Sequence, residues 1–122
     1  MKLFNDFFKV LESSVSVSGF HTTNALNPAH IVYTGHFPGY PVTPGVIQLQ
    51  IVHELLENHF GRKLKLTDMP NCKFLKVLNP VETSQFIIHI EYHRTDKEIS
   101  IKARGENDTD TFFKLNSIYQ FN

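Results

Sequence analysis

A histidine within a loop rich in proline and glycine is the residue of this sequence best suited to chemistry. Residues 34–45 read TGHFPGYPVTPG and hold three of the six prolines and three of the six glycines. Proline cannot continue a strand ladder, so the stretch is predicted to be a rigid, shaped loop. Imidazole titrates near neutral pH, and His36 held in such a loop therefore suits the role of a general base.

The loop leads directly into a segment with helical periodicity. Over residues 46–60 apolar side chains cover more than half of the helical wheel, and polar side chains follow one stripe: Gln50, His53, Glu54, Glu57 and Asn58. A helix this apolar is predicted to be mostly buried, and Gly61 provides its stop. A helix that begins near Gly45 presents unpaired backbone N–H groups and the positive end of its dipole, which suit a developing oxyanion.

Other patterns predict the elements that must hold this loop and helix. Residues 2–11 predict a short amphipathic helix, residues 13–20 predict a strand, and residues 31–33 briefly resume that strand pattern. Four further strands are predicted at residues 72–78, 85–92, 98–104 and 111–121. One strand before the central helix and four after it indicate an α+β fold, an antiparallel sheet curled around a buried helix.

Length and composition limit the class of protein. The chain has 122 residues, 12 Lys+Arg against 12 Asp+Glu, and one Cys. This length suits one domain over residues 1–122 with a core of its own, and the lone Cys72 excludes an internal disulfide framework. Balanced charge argues against a nucleic-acid or anionic-membrane partner. Since no apolar run approaches the length of a spanning helix, we expect a soluble, cytoplasmic protein.

The string from Gly35 to Val46, GHFPGYPVTPGV, resembles the signature of the 3-hydroxyacyl-(acyl carrier protein) dehydratases, a branch of the hot-dog fold. Within that family it is most similar to the dehydratases of aryl-polyene or flexirubin-type pigment pathways. The resemblance implies a dimeric hot-dog domain. It also implies a lyase of fatty acid or polyene biosynthesis that converts 3-hydroxyacyl thioesters on acyl carrier protein to trans-2-enoyl thioesters, without a metal or organic cofactor.

The same resemblance assigns roles to individual residues. His36 matches the base that removes the C2 proton, and Gly45 matches the residue whose backbone amide stabilises charge on the thioester oxygen. Substrate binding is implied for the neighbouring motif residues Phe37, Pro38, Gly39, Pro44 and Val46. Tyr40 and Thr43 receive no role.

The acid position departs from the family pattern. In these dehydratases a Glu or an Asp stands on the central helix fourteen residues after the His, and it acts across the dimer interface. This position is Gln50, and a carboxamide has no proton to give at neutral pH. Three routes would supply an acid: the carboxylate of Glu54 one helical turn further on, a carboxylate from a partner subunit, or a water held by Gln50.

Two other functions therefore stay open beside the dehydratase. One is a non-catalytic or half-active subunit that binds acyl thioesters or pairs, as a heterodimer, with a complete dehydratase. A homodimer is equally compatible with the sequence. The other is a thioesterase, since hot-dog hydrolases also use helix carboxylates, although the His-Phe-Pro-Gly string favours dehydration.

Metal-ligating patterns are weak. The segment that begins at His53 nearly matches the zinc motif His-Glu-x-x-His, but its second His is absent. His89, Glu91 and His93 share one strand face, and a solvated surface explains them better than a divalent metal. No metal site is predicted. A locally basic region that suits an acidic carrier protein, or simply a solvated surface, comprises Arg62, Lys63, Lys65, Lys73 and Lys76.

Overall fold

A computed structural model of the chain describes residues 2–37 and 39–122. In the described chain two strands precede the long helix and four follow it. The strands are β1 (Phe8–Val15), β2 (Gly19–Leu26), β3 (Leu64–Phe74), β4 (Gln85–Arg94), β5 (Glu98–Glu106) and β6 (Thr111–Phe121). A 3₁₀-helix (Ile31–Thr34) comes before the loop, and helix α1 (Gly45–Phe60) comes after it.

These strands form an antiparallel sheet in the order β1-β2-β4-β5-β6-β3. Side chains alternate between its two faces, so every second residue of β4 and β5 points into the core. The buried residues on these two strands include Phe86, Ile88, Ile90, Ile99, Ile101 and Ala103. They share one apolar cluster with the buried side of α1. The predicted α+β architecture, a sheet packed on a central helix, is confirmed.

Helix α1 begins and ends close to where its sequence pattern changes. It starts at Gly45, one residue before the predicted start, and Pro44 stands at its N-cap in an extended conformation. Gly61 ends it with a φ of +64°, and its N–H donates to the carbonyl of Glu57. A left-handed conformation favours glycine because in other residues the Cβ lies too close to the residue's own backbone carbonyl. The predicted helix and its stop are confirmed.

The N-terminal segment is not the helix predicted over residues 2–11. A turn begins at Asn5, which has a φ of +66°, and β1 starts at Phe8. The backbone N–H groups of Leu3 and Phe4 donate to the side chain of Glu54 on α1. A helix of ten residues is marginal by itself, so these contacts with α1 decide the conformation of the segment.

The single strand predicted at residues 13–20 is also wrong. The Ser-Val alternation runs through a tight turn, in which the N–H of Ser16 donates to the carbonyl of Gly19 at 2.8 Å. The chain reverses there, and β1 pairs with β2. Two strands therefore precede the central helix where one was predicted, because alternation alone does not reveal where a hairpin turns.

Two further boundaries differ from the predictions. Residues 31–33 belong to the 3₁₀-helix rather than to a strand, and the strand predicted at residues 72–78 begins at Leu64 and ends at Phe74. The three strands predicted at residues 85–92, 98–104 and 111–121 are confirmed as β4, β5 and β6. Within the described ranges, no helix combines the length and the apolar character needed to cross a bilayer.

Candidate active site

His36 lies in an exposed loop whose backbone is held at several points. Its N–H donates to the carbonyl of Tyr33 at 3.3 Å, and its own carbonyl accepts from the N–H of Val42 at 2.7 Å. Between these points Phe37 and Tyr40 exchange backbone hydrogen bonds of 3.1 and 2.9 Å. The peptide bond between His36 and Phe37 is cis. The imidazole is exposed on a backbone that the loop's own hydrogen bonds define.

The described motif residues predicted to bind substrate differ in exposure: Val46 is exposed and Pro44 is half-buried. Phe37 is 57% exposed, and its ring centroid lies 5.9 Å from that of His36. Gly39 has a φ of +80°, a conformation that favours glycine. Pro38, also predicted to bind substrate, lies outside the described residues. The roles in substrate binding stay predictions.

The first turn of α1 provides backbone donors. The N–H groups of Ile47 and Gln48 donate to the carbonyl of Pro44, whereas those of Gly45 and Val46 have no acceptor in the described part of the chain. The cap residue is a proline and makes no side-chain hydrogen bond. These two amides lie at the positive end of the helix dipole, where an oxyanion is stabilised.

Gly45 has a second, steric reason for being glycine. A Cβ built on this residue would lie 2.7 Å from Cζ of Phe74, whose ring covers the start of the helix. Phe74 is 49% exposed and Val46 is 71% exposed. The helix start is therefore bordered by apolar surface that the described chain leaves open.

Gln50 is bound to the carboxylate considered as its substitute. Its Nε2 donates to Oε2 of Glu54 at 2.8 Å. Oε1 and Oε2 of Glu54 accept from the N–H of Leu3 at 2.9 and 2.8 Å, and Oε1 also accepts from the N–H of Phe4 at 2.8 Å. Glu54 is only 8% exposed, so it is not a surface residue. Its role as an auxiliary acid stays a prediction.

Gln50 borders a cleft that His36 does not line. A cleft of about 560 Å³ runs beside the polar stripe of α1, and Lys2, Phe4, Gln50 and Glu54 are among its lining residues. His36 and Gly45 do not line this cleft. Gln50 is thus grouped with Glu54 and the N-terminal segment, whereas His36 lies in the loop that leads to the helix start.

Two of the histidines considered for metal binding, His53 and His89, have carboxylate partners. Nε2 of His89 lies 2.9 Å from Oε1 of Glu106, which also accepts from Nε of Arg104 at 3.0 Å. Burial and the nearby Arg104 lower the pKa of His89. His53 lies 3.2 Å from Glu57 on the next turn of α1. No cluster of three metal-ligating side chains occurs among residues 2–37 and 39–122.

Sequence reasoning missed a buried polar pair at the two ends of the loop. The hydroxyl of Tyr33 lies 2.8 Å from Oγ1 of Thr43, and burial raises the pKa of Tyr33 to about 12. The motif assigns no role to Thr43, yet this residue is buried, with 2% of its surface exposed. The available indication was a tyrosine just before the loop and a threonine just before the helix, but nothing local shows that they meet.

A central helix packed on an antiparallel sheet of this strand order defines a hot-dog protein, and solved structures share it. A chain of the dehydratase heterocomplex ApeI:P from Xenorhabdus doucetiae superposes with a TM-score of 0.73 at 16% identity, over 91% of this chain and 96% of that one. A protein from Bacillus halodurans solved with CoA gives 0.59 at 11% identity, over 92% and 74%. At these identities the likeness shows the fold alone.

Sequence relatives carry the identification further. The 3-hydroxyacyl-(acyl carrier protein) dehydratase FabZ of Rickettsia bellii is 25% identical over 114 residues, covering 84% of this chain and 77% of the relative. FabZ of a Geobacillus species is 31% identical over 80 residues, covering 60% and 53%. The model of the ApeI-like family, described as ApeI dehydratase, matches residues 13–113. The chain belongs to the ApeI-like dehydratase family, as its motif predicted.

Proposed function

We propose that this chain is a subunit of a 3-hydroxyacyl-thioester dehydratase in which His36 is the base. The proposal rests on one observation: the loop that holds the exposed imidazole leads directly into α1. At the start of that helix the amides of Gly45 and Val46 have no acceptor in the described chain. FabZ relatives are named for acting on 3-hydroxyacyl groups carried by acyl carrier protein, and we propose the same class of substrate.

The proposed reaction is the elimination of water from the 3-hydroxyacyl thioester. His36 accepts the C2 proton, and the electrons of the C2–H bond form the C2=C3 double bond of the trans-2-enoyl product. Negative charge that develops on the thioester oxygen is stabilised by the amide of Gly45. The C3–O bond breaks, and the departing hydroxide takes a proton from an acid to leave as water.

The acyl chain would lie against apolar surface at the helix start. The loop, the first turn of α1, the end of β3 and the segment after it carry exposed apolar side chains: Phe37, Tyr40, Val46, Phe74, Leu75 and Val77. A contiguous exposed apolar surface marks a binding site for a ligand or a partner. Contact with an acyl chain and with a second subunit would bury it.

The acid is assigned to a partner subunit. Gln50 has no proton to give, and both oxygens of Glu54 already accept N–H donors. Strand β3 stands at one edge of the sheet, where an unpaired row of N–H and C=O groups can bind the matching strand of another hot-dog subunit. A dimer formed at this edge would place a second helix beside the site.

The test of the proposed reaction compares the wild type with His36→Ala on a 3-hydroxyacyl-(acyl carrier protein) thioester. His93→Ala is the matched control, because His93 is exposed on β4 and is not part of the loop. Enoyl formation that is lost in His36→Ala and kept in His93→Ala supports the proposal. Enoyl formation that survives His36→Ala contradicts it. Release of free thiol without enoyl product would instead identify a thioesterase.

A second candidate function is that of a half-active subunit in a heterodimer. It is supported by the hydrogen bond from Gln50 to Glu54, because neither side chain is then free to act as the acid. The ApeI:P neighbour is described as a dehydratase heterocomplex. In such a pair His36 would face an acid contributed by a complete hot-dog dehydratase. Mixing this chain with a hot-dog dehydratase whose own base is replaced by Ala tests the idea. Activity that appears only in the mixture, and only with His36 intact, supports it, whereas an inactive mixture speaks against it.

A further inference from the structure

The two ends of the His36 loop are joined by a buried pair of hydroxyl groups. Tyr33 stands in the 3₁₀-helix before the loop, and Thr43 stands ten residues later, near the start of α1. Their oxygens are 2.8 Å apart, and the residues are 5% and 2% exposed. Buried polar groups are costly unless they are hydrogen-bonded. The pair therefore forms a specific link in otherwise apolar surroundings.

Thr43 is also bound through its backbone to two other parts of the fold. Its carbonyl accepts from Nε2 of Gln48 at 3.0 Å, and its N–H donates to the carbonyl of Leu78 at 2.9 Å. Gln48 is itself buried on α1. The residue before Pro44 is thus held by the 3₁₀-helix, by α1 and by the segment that follows β3.

Both backbone groups of His36 connect to this arrangement. The N–H of His36 donates to the carbonyl of Tyr33, and its carbonyl accepts from the N–H of Val42, the residue next to Thr43. The backbone of His36 is therefore bonded on one side to Tyr33 and on the other to the neighbour of Thr43. Neither Tyr33 nor Thr43 is exposed to a ligand.

We propose that Tyr33 and Thr43 are positioning residues, which set His36 relative to the amides of Gly45 and Val46. The link between the hydroxyl groups closes the loop and fixes its end against the first turn of α1. The effect on catalysis rests on the proposed dehydratase function, whereas the effect on the loop does not.

The first experiment measures amide hydrogen exchange in the full chain for Tyr33→Phe, Thr43→Val and Thr43→Ser. Tyr119→Phe is the matched control, because Tyr119 is another phenol, 2% exposed, on β6. In Tyr33→Phe and Thr43→Val we expect the amides at positions 42 and 43 to exchange at least tenfold faster. The amides of α1 should exchange at the wild-type rate. Tyr119→Phe and Thr43→Ser should retain the wild-type protection. Unchanged protection in Tyr33→Phe, which keeps the ring and folds most readily, would overturn the proposal.

The second experiment measures kinetics on the same variants. The kcat should fall at least tenfold in Tyr33→Phe and Thr43→Val with little change in KM, because substrate-binding groups are untouched, and Thr43→Ser should restore it. Faster exchange with an unchanged kcat would show a structural link only, and would overturn the positioning role. A wild type without dehydratase activity would count against the proposed function, and the exchange experiment would then decide whether the pair holds the loop.

Discussion

Nε2 of Gln50 donates a hydrogen bond of 2.8 Å to Oε2 of Glu54, one turn further along α1. The same carboxylate accepts the backbone N–H groups of Leu3 and Phe4. The residue at the acid position is thus connected to the N-terminal segment through one buried side chain. Both of its oxygens accept N–H donors, so Glu54 holds the side chain of Gln50 and the N-terminal backbone together.

Replacing Gln50 by Glu should restore an acid to the chain. In a homodimer, where the acid of one copy would face His36 of the other, we expect Gln50→Glu to raise dehydratase turnover by about 10²-fold or more, the usual contribution of a general acid. The new carboxyl would stand beside Glu54, where the hydrogen bond donated by Gln50 Nε2 is lost and two carboxylates repel each other. The variant should therefore be less stable than the wild type at neutral pH. Enoyl formation and urea unfolding measure the two effects.

Gln120→Glu is the control for that substitution, because Gln120 is exposed on β6. It should change neither turnover nor stability by a comparable amount. If Gln50→Glu folds and turnover does not rise, the missing acid is not what limits the isolated chain.

Removing the charge of Glu54 should loosen the N-terminal segment. Glu54→Gln replaces one acceptor oxygen by an NH₂ group that faces N–H donors. We expect the free energy of unfolding to fall by about 1–3 kcal/mol, and the amides of Leu3 and Phe4 to exchange faster. Glu82→Gln, at an exposed position, should do neither. Wild-type exchange at both amides in Glu54→Gln would show that the carboxylate does not hold the segment.

Two glycines should differ sharply in their tolerance of alanine. At Gly19 a Cβ would collide with the backbone carbonyl of Ile90 in the neighbouring strand, whereas at Gly45 it would meet the tip of the half-exposed Phe74 ring at 2.7 Å. Backbone cannot move aside as a side chain can. We expect Gly19→Ala to cost about 3 kcal/mol and Gly45→Ala about 1 kcal/mol in urea unfolding. Equal losses would contradict this assignment of the two contacts.

Ionisation of Tyr33 should make stability depend on pH above its ordinary pKa. Burial raises the pKa of Tyr33 from 10.0 to about 12. The unfolded chain therefore loses this proton first, and the free energy of unfolding falls as the pH rises from 10 to 12, by up to about 1.4 kcal/mol per pH unit. Tyr33→Phe lacks this loss, so the stability difference between the two proteins should shrink above pH 10. Unfolding curves of both proteins from pH 8 to pH 11 measure it, and a constant difference would contradict the burial of the phenol.

Several elements were predictable because their determinants are local. Prolines and glycines between Thr34 and Gly45 exclude a strand there, and Gly61 ends the helix at a left-handed conformation that few other residues adopt. Alternation in β4, β5 and β6 reports directly which residues face the core. The motif around His36 also predicted the family and, with it, the hot-dog architecture.

The N-terminal segment shows where local patterns fail. Leu3 and Phe7 have helical spacing, yet both are buried in an irregular turn, since the carboxylate of Glu54 binds the backbone of Leu3 from 51 residues away. Likewise, the alternation of Ser and Val continues through the turn between β1 and β2. Only the pairing of the two strands reveals the reversal.

The amino-acid sequence by itself determined the loop, the central helix, the three C-terminal strands and the family, because propensity and periodicity act over a few residues. Only the tertiary structure decided which polar groups are partners: Tyr33 with Thr43, and Gln50 with Glu54 and the N-terminal backbone. Buried polar groups must find partners wherever the fold brings them. Which partners they find depends on chain segments that are far apart in sequence and meet only when the sheet closes over the helix.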